Sequence, residues 1–134
     1  VKAVTNPRET DLGLTPYEQE TLSEAAGSVL LLHLRGAMIF GTSRVISRKN
    51  SEVEGIRTLI VDISDVVHLG VSASLALEKA ILDMLDAGRS VYVVAAPGQP
   101  RQRLENMGVL QRMKQQNVVE KRLTALERSV YGDG

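Results

Sequence analysis

The chain contains neither cysteine nor tryptophan. Without thiols it can form no disulfide, no zinc–thiolate centre and no thiol nucleophile. Aromatic residues make up only 3% of its 134 residues, too few for the stacking platforms that hold single-stranded nucleic acid. An excess of charge is missing too. Sixteen Lys and Arg balance sixteen Asp and Glu, so no net field draws the protein to a phosphate backbone, and no nucleic-acid partner is expected. Long hydrophobic runs are also absent. A stretch such as Val29-Leu30-Leu31-Leu32 falls far short of the roughly 20 apolar residues that a bilayer span takes. No signal-peptide pattern opens the chain. It begins at Val1 rather than Met, and the expectation is a piece of a longer polypeptide that is soluble as an isolated fragment.

What is present is an ordinary globular composition, 43% hydrophobic and 24% charged, enough for one domain with a real core. Three short apolar runs rich in β-branched residues, "VLLLHLR" (29–35), "TLIVDIS" (58–64) and "SVYVVAA" (90–96), read as strands buried on both faces. They recur about every 30 residues, the length of a βαβ unit, and "NVVEK" (117–121) falls on the same beat. Residues 72–87 set Ala73, Leu77, Ala80, Ile81 and Met84 on one helical stripe, with Gly88 placed to end the helix. Further helices are expected over 42–54, through Leu104 and Met107, briefly after Gly108, and through Leu123, Leu126 and Val130. "TPYE" (15–18) combines Thr15 as cap, Pro16 at the first helical position and Glu18 three residues on, a capping box that starts a helix running toward Gly27. Val1 to Val4 suit an edge strand. The fold class is α/β: a small, mixed, mostly parallel sheet flanked by helices, with a helical N-terminal prefix.

The stretch with chemical interest is Gly70-Val71-Ser72-Ala73-Ser74, a turn between a strand and a helix. It matches four of the five positions of G-x-S-x-G, but Ser74 stands where a nucleophile elbow wants glycine, and both histidines, His33 and His68, precede it rather than follow. No phosphate-cradling glycine motif occurs. The helix start could hold an anion weakly, and the plain reading makes Ser72 the helix cap. Asp62 and Asp65, with no third ligand beside them, make a poor metal site, so they are expected to hydrogen-bond within or cap the turn, and His33 and His68 to serve structure. No catalytic residue, metal or cofactor is expected. The basic cluster Arg44, Arg48 and Lys49 reads as a solvated helix face, with contact to an acidic partner or a membrane surface as the sharper alternative, and Ala37-Met38-Ile39-Phe40 as core at a strand end, with a self-association patch as the alternative. The basic residues Arg101, Arg103, Arg112, Lys114, Lys121 and Arg122 are interrupted by Glu105 and Glu120 and decide nothing.

Taken in order, "VLLLHLRG", "AMIFGTSRVISRK", "TLIVDISDVVHL", the Gly-Val-Ser turn, "ASLALEKAILDMLDAGR", "SVYVVAA" and "RLENMGVL" resemble a STAS domain. More narrowly, they resemble the cytoplasmic C-terminal domain of SulP-family anion transporters. The segment "VTNPRETDLGLTPYEQETLSEAAG" looks like the piece that joins membrane domain and STAS domain in cyanobacterial members. The resemblance implies residues 1–27 as joining arm and capped helix and 28–134 as the domain. It also implies a non-enzymatic part in regulation, folding or dimerisation of an integral membrane protein, at the cytoplasmic face of the plasma membrane. Its partners would be the transmembrane domain of the same polypeptide and a second copy in a homodimer, and its cargo bicarbonate carried with sodium, with sulfate second.

In STAS proteins that antagonise anti-sigma factors, the same turn reads Asp-Ser-Ser or Asp-Ser-Thr, with the first hydroxyl phosphorylated. Here Gly70 replaces the acid and Val71 the phosphoacceptor. Gly70, Val71, Ser72 and Ser74 therefore stand as a regulatory or anion-binding turn, with Ser72 as the substitute phosphosite. A free-standing switch protein of that antagonist type is the alternative reading.

Overall fold

A computed structural model of the chain describes residues 2–4, 14–25, 27–38 and 56–132. In chain order these form β1 (Lys2–Val4), α1 (Pro16–Glu24), β2 (Val29–Met38), β3 (Thr58–Leu69), α2 (Val71–Asp86), β4 (Ser90–Val94), α3 (Gln99–Asn106), two 3₁₀ turns (Leu110–Arg112 and Gln115–Asn117), β5 (Val118–Val119) and α4 (Arg122–Tyr131). The strands make one five-stranded sheet in the order β1-β2-β3-β4-β5. β1 runs antiparallel to β2, with Lys2 opposite His33, and the other three pairings are parallel.

Strand alternation divides the core in two. Leu30, Leu32 and Leu34, with Leu59, Val61 and Ile63, and with Val91 and Val93, point to one face, where they meet Ala73, Leu77, Ala80, Ile81 and Met84 of α2 and Leu104 of α3. Val29, Leu31, Ile60, Tyr92, Val94 and Val119 point to the other, under Leu22 of α1 and Ala125 and Leu126 of α4. The parallel strands advance across the sheet in sequence order, and α2 and α3 pack on the same face, as successive crossovers of one hand require. Among the described residues, the opposite face is covered by α1 and α4. The N-terminal prefix and the C-terminal helix therefore act together as one layer.

Several expectations shift in detail. β3 is longer than 58–64: it continues through the more polar "DVVHL", still paired to β2 out to Leu69 opposite Met38. The register slips twice on the way, between His33 and Arg35 and between Gly36 and Ala37. Gly36 takes φ 76° at the second slip, a left-handed conformation that suits a glycine at a bulge. The helix begun by Thr15 ends at Glu24, before Gly27. The short helix expected after Gly108 is a pair of 3₁₀ turns. The helix expected over 42–54, the cluster Arg44, Arg48 and Lys49, and Ile39-Phe40 lie outside the described residues.

Candidate functional site

β3 delivers the chain to the turn, and Gly70 caps α2 from an extended conformation, φ −78° and ψ 174°, with no side-chain cap. The expectation that Ser72 caps the helix is therefore corrected: Ser72 lies one turn position inside α2, exposed to solvent. The hydroxyl that does meet the turn is Ser74's. It is 1% exposed and donates to the Gly70 carbonyl at 2.5 Å, beside the helical Ser74 amide at 3.0 Å. A helical serine has an intrahelical carbonyl within reach four residues back, so Ser74 satisfies itself locally. Val71 and Leu75, 61% and 53% exposed, stand one helical turn apart on the outer side of α2 with Ser72 between them. The strand end is clamped from α3: the Leu69 amide donates to the Gln99 carboxamide oxygen at 2.8 Å, and the Gln99 amide nitrogen donates back to the Leu69 carbonyl at 3.1 Å. β4 pairs with β3 only as far as Asp62, and Gln99 does for Leu69 what a neighbouring strand would.

The acids flagged with the turn are elsewhere. Asp62 precedes Leu69 by seven residues, about 23 Å along an extended strand. It is fully buried, and its Oδ1 accepts from the Ser64 amide at 3.0 Å and the Ser64 hydroxyl at 2.5 Å. Its other oxygen faces Arg122, the first residue of α4, at 3.5 Å. Arg122 in turn grips Glu18 of α1 with two nitrogens, at 2.8 and 3.1 Å. Glu18 also completes the capping box, accepting from the Thr15 amide at 3.0 Å while its own amide donates to the Thr15 hydroxyl at 3.1 Å. Burial alone would push the Glu18 carboxyl up, but the Arg122 and Thr15 hydrogen bonds and the guanidinium charge outweigh it and hold the group below the ordinary glutamate range. The same contacts with Glu18, helped by Asp62, hold Arg122 still more firmly protonated.

This three-residue network joins α1, β3 and α4, and the reading from residues alone missed it. A signal was available: one aspartate in the apolar run "TLIVDIS", in a strand covered on both faces, requires a buried donor. His33 sits on the same sheet face, opposite Asp62 in register, and its Nε2 meets the Asp65 carboxylate at 2.8 Å, while its buried Nδ1 has no hydrogen-bond partner among the described residues. His68 is exposed. Arg101 is committed to Glu105 at 3.2 Å and to the Ala95 carbonyl at 3.4 Å. Among the described residues, no three His, Asp or Glu side chains gather as a metal cluster, and no helix is long and apolar enough to cross a membrane.

The arrangement thus offers a rigid turn with an outward hydroxyl and two outward aliphatic side chains, on a sheet whose far face is closed by a prefix helix. Comparison with known proteins places it. The family model for the STAS domain matches residues 21–122. The bicarbonate transporter BicA of Synechocystis sp. is 39% identical over 134 residues, which is all of this chain and 24% of that protein. BicA of Picosynechococcus sp. is 41% identical over 124 residues, 92% of this chain and 22% of that protein. The chain therefore spans less than a quarter of the length of these curated relatives. Among solved structures, the SulP transporter STAS domain from Vibrio cholerae has the same fold. It superposes with a TM-score of 0.65 at 21% identity, covering 78% of this chain and 82% of that one. The chain belongs to the STAS-domain family.

Proposed function

We propose that this chain is the non-catalytic domain appended to a SulP-type anion transporter, lying at the cytoplasmic face of the plasma membrane and serving regulation or assembly of the membrane part. The observation that carries this reading is the 39% identity to a bicarbonate transporter along the whole of the chain. The proposed cargo of the intact protein is bicarbonate, taken up with sodium, and the intact protein is proposed to be a homodimer. Residues 1–27 act as the joint to the membrane domain and 28–134 as the domain proper. In that division the joint is fastened at two points, β1 on the sheet edge and α1 against α4.

Within this reading the Gly70–Ser74 turn is the regulatory surface and Ser72 its phosphoacceptor. The exposure of Ser72 favours it over Ser74, whose hydroxyl is enclosed. A phosphate on Ser72 would lie in the first turn of α2, where backbone amides and the helix dipole favour negative charge. An antibody raised against the chain tests both parts in fractionated native cells. The expected result is a membrane-bound band several-fold heavier than 14.6 kDa, with phosphate on Ser72 in its peptides when carbon supply changes. A soluble band near the chain's own mass would overturn the transporter reading. A heavy membrane band with Ser72 unmodified under every supply would overturn only the phosphosite.

A further inference from the structure

We infer that Arg122 is a two-position latch, holding α1 down through Glu18 and closing onto Asp62 when α1 lifts, so that the prefix helix opens without the sheet. The hold on α1 is mostly polar. Of its nine residues the buried ones are Glu18, Thr21 and Leu22, and only Leu22 is apolar. The Thr21 hydroxyl donates to the Tyr17 carbonyl of its own helix at 2.8 Å and also meets the Tyr131 hydroxyl of α4. At the outer rim the Tyr17 hydroxyl reaches Glu127 at 3.5 Å. The Glu24 carboxylate beside the Tyr131 hydroxyl pushes that phenol up to about 12. A nine-residue helix is too short to stand on its own propensity, and its apolar hold is Leu22 with Leu14 just before the cap and Ala25 just after the last turn, a small patch. The charged contact decides whether it stays.

Opening a helix over a buried ion pair ordinarily strands one charge in the interior, and that cost keeps such pairs shut. Here the cation has a second acceptor already in reach. Arg122 belongs to α4 and stays with the body when α1 leaves, while Glu18 departs with α1 and is solvated. The guanidinium can then shorten its 3.5 Å approach to Asp62 Oδ2, an oxygen for which the described contacts give no other donor. Neither Arg122 nor Asp62 is then left as a lone buried charge. Lifting α1 would uncover the apolar face built of Val29, Leu31, Ile60 and Leu126. The inference stands on this geometry alone, whatever the parent protein transports.

The test is amide hydrogen exchange on the 134-residue chain, comparing wild type with Glu18→Gln and Asp62→Asn. Glutamine keeps the capping box and removes only the charge, so Glu18→Gln is expected to speed exchange in α1 about tenfold while β2 to β4 keep their protection. Asp62→Asn takes away the negative charge that waits for the guanidinium. It is expected to slow α1 exchange about threefold even as the thermal midpoint of the whole domain falls, local and global stability moving in opposite senses. A purely structural role for Asp62 would move both the same way. Unchanged or faster α1 exchange in Asp62→Asn overturns the latch, as does Glu18→Gln speeding exchange equally across the sheet. Should Asp62→Asn not fold, Arg122→Lys decides in its place. It keeps the charge without the fork, and is expected to loosen α1 alone; uniform loosening overturns the proposal.

Discussion

Replacing Arg122 with alanine is expected to cost the domain about 3–5 kcal/mol of folding free energy, the range for removing one partner of a buried ion pair. The loss is large because one guanidinium serves two carboxylates, Glu18 at 2.8 Å and Asp62 at 3.5 Å, and Asp62 has no exposure to water. Urea unfolding at neutral pH measures it. The pH dependence carries a sign that checks the cause. In the wild type the Glu18 carboxyl is held below its ordinary range. Its contribution is therefore full above the unfolded value of about 4.3 and fades as pH falls through the lower folded value. In Arg122→Ala the guanidinium's hydrogen bonds and charge no longer oppose burial, and only the Thr15 contacts still lower the Glu18 carboxyl, so it is held down less than in the wild type. The variant's penalty is then full at neutral pH and shrinks as pH falls from the unfolded value of about 4.3 toward the wild type's lower folded value. A penalty that stays constant from pH 7 to pH 3.5 would show that lost packing, not the stranded carboxylates, is responsible.

Leu77→Ala is expected to cost about 2–5 kcal/mol, lowering the thermal midpoint by roughly 10–20 °C for a domain of this size. Leu77 is fully buried, at the centre of the stripe that α2 lays on Leu59, Val61, Val91 and Val93. Two positions earlier, Leu75 is 53% exposed, and Leu75→Ala is expected to stay within about 0.5 kcal/mol of wild type. Because the two substitutions delete the same atoms from the same helix, thermal denaturation of the pair isolates burial from helix propensity. Equal losses would mean that α2 does not pack as described.

The α/β order was legible because the strands that matter are the ones with least freedom to vary. "VLLLHLR" and "TLIVDIS" are apolar at nearly every position since both faces are covered, and the stripe on α2 has helical period because only one face is. Thr15, Pro16 and Glu18 announced the start of α1 through backbone chemistry that is purely local. What could not be read is long-range. Glu18 and Arg122 lie 104 positions apart, and nothing in the surroundings of either says that a capping glutamate also takes a guanidinium. Arg122 looked like one more basic residue in a mixed-charge stretch. The cap of α2 was misassigned for a related reason. Ser72 is a better capping residue than Gly70 by preference, but β3 persists to Leu69, held there by Gln99 from 30 residues downstream, and that brings the helix start forward by two positions. The exposed chemistry of the turn, Ser72 between Val71 and Leu75, follows from this displacement.

The lengths of the outer strands bear on how readily the sheet could pair with another molecule. β2 and β3 run for ten and twelve residues, while β1 and β5 at the two margins have three and two. Short margins offer a neighbouring molecule few free amides and carbonyls to pair with, and they guard long apolar strands that would otherwise recruit one another into intermolecular sheets. β1 covers residues 31–33 of β2, in the middle of the run Val29 to Leu34. Lys2 to Val4 thus shield the edge of β2, and a variant in which these three residues cannot pair would present an adhesive edge.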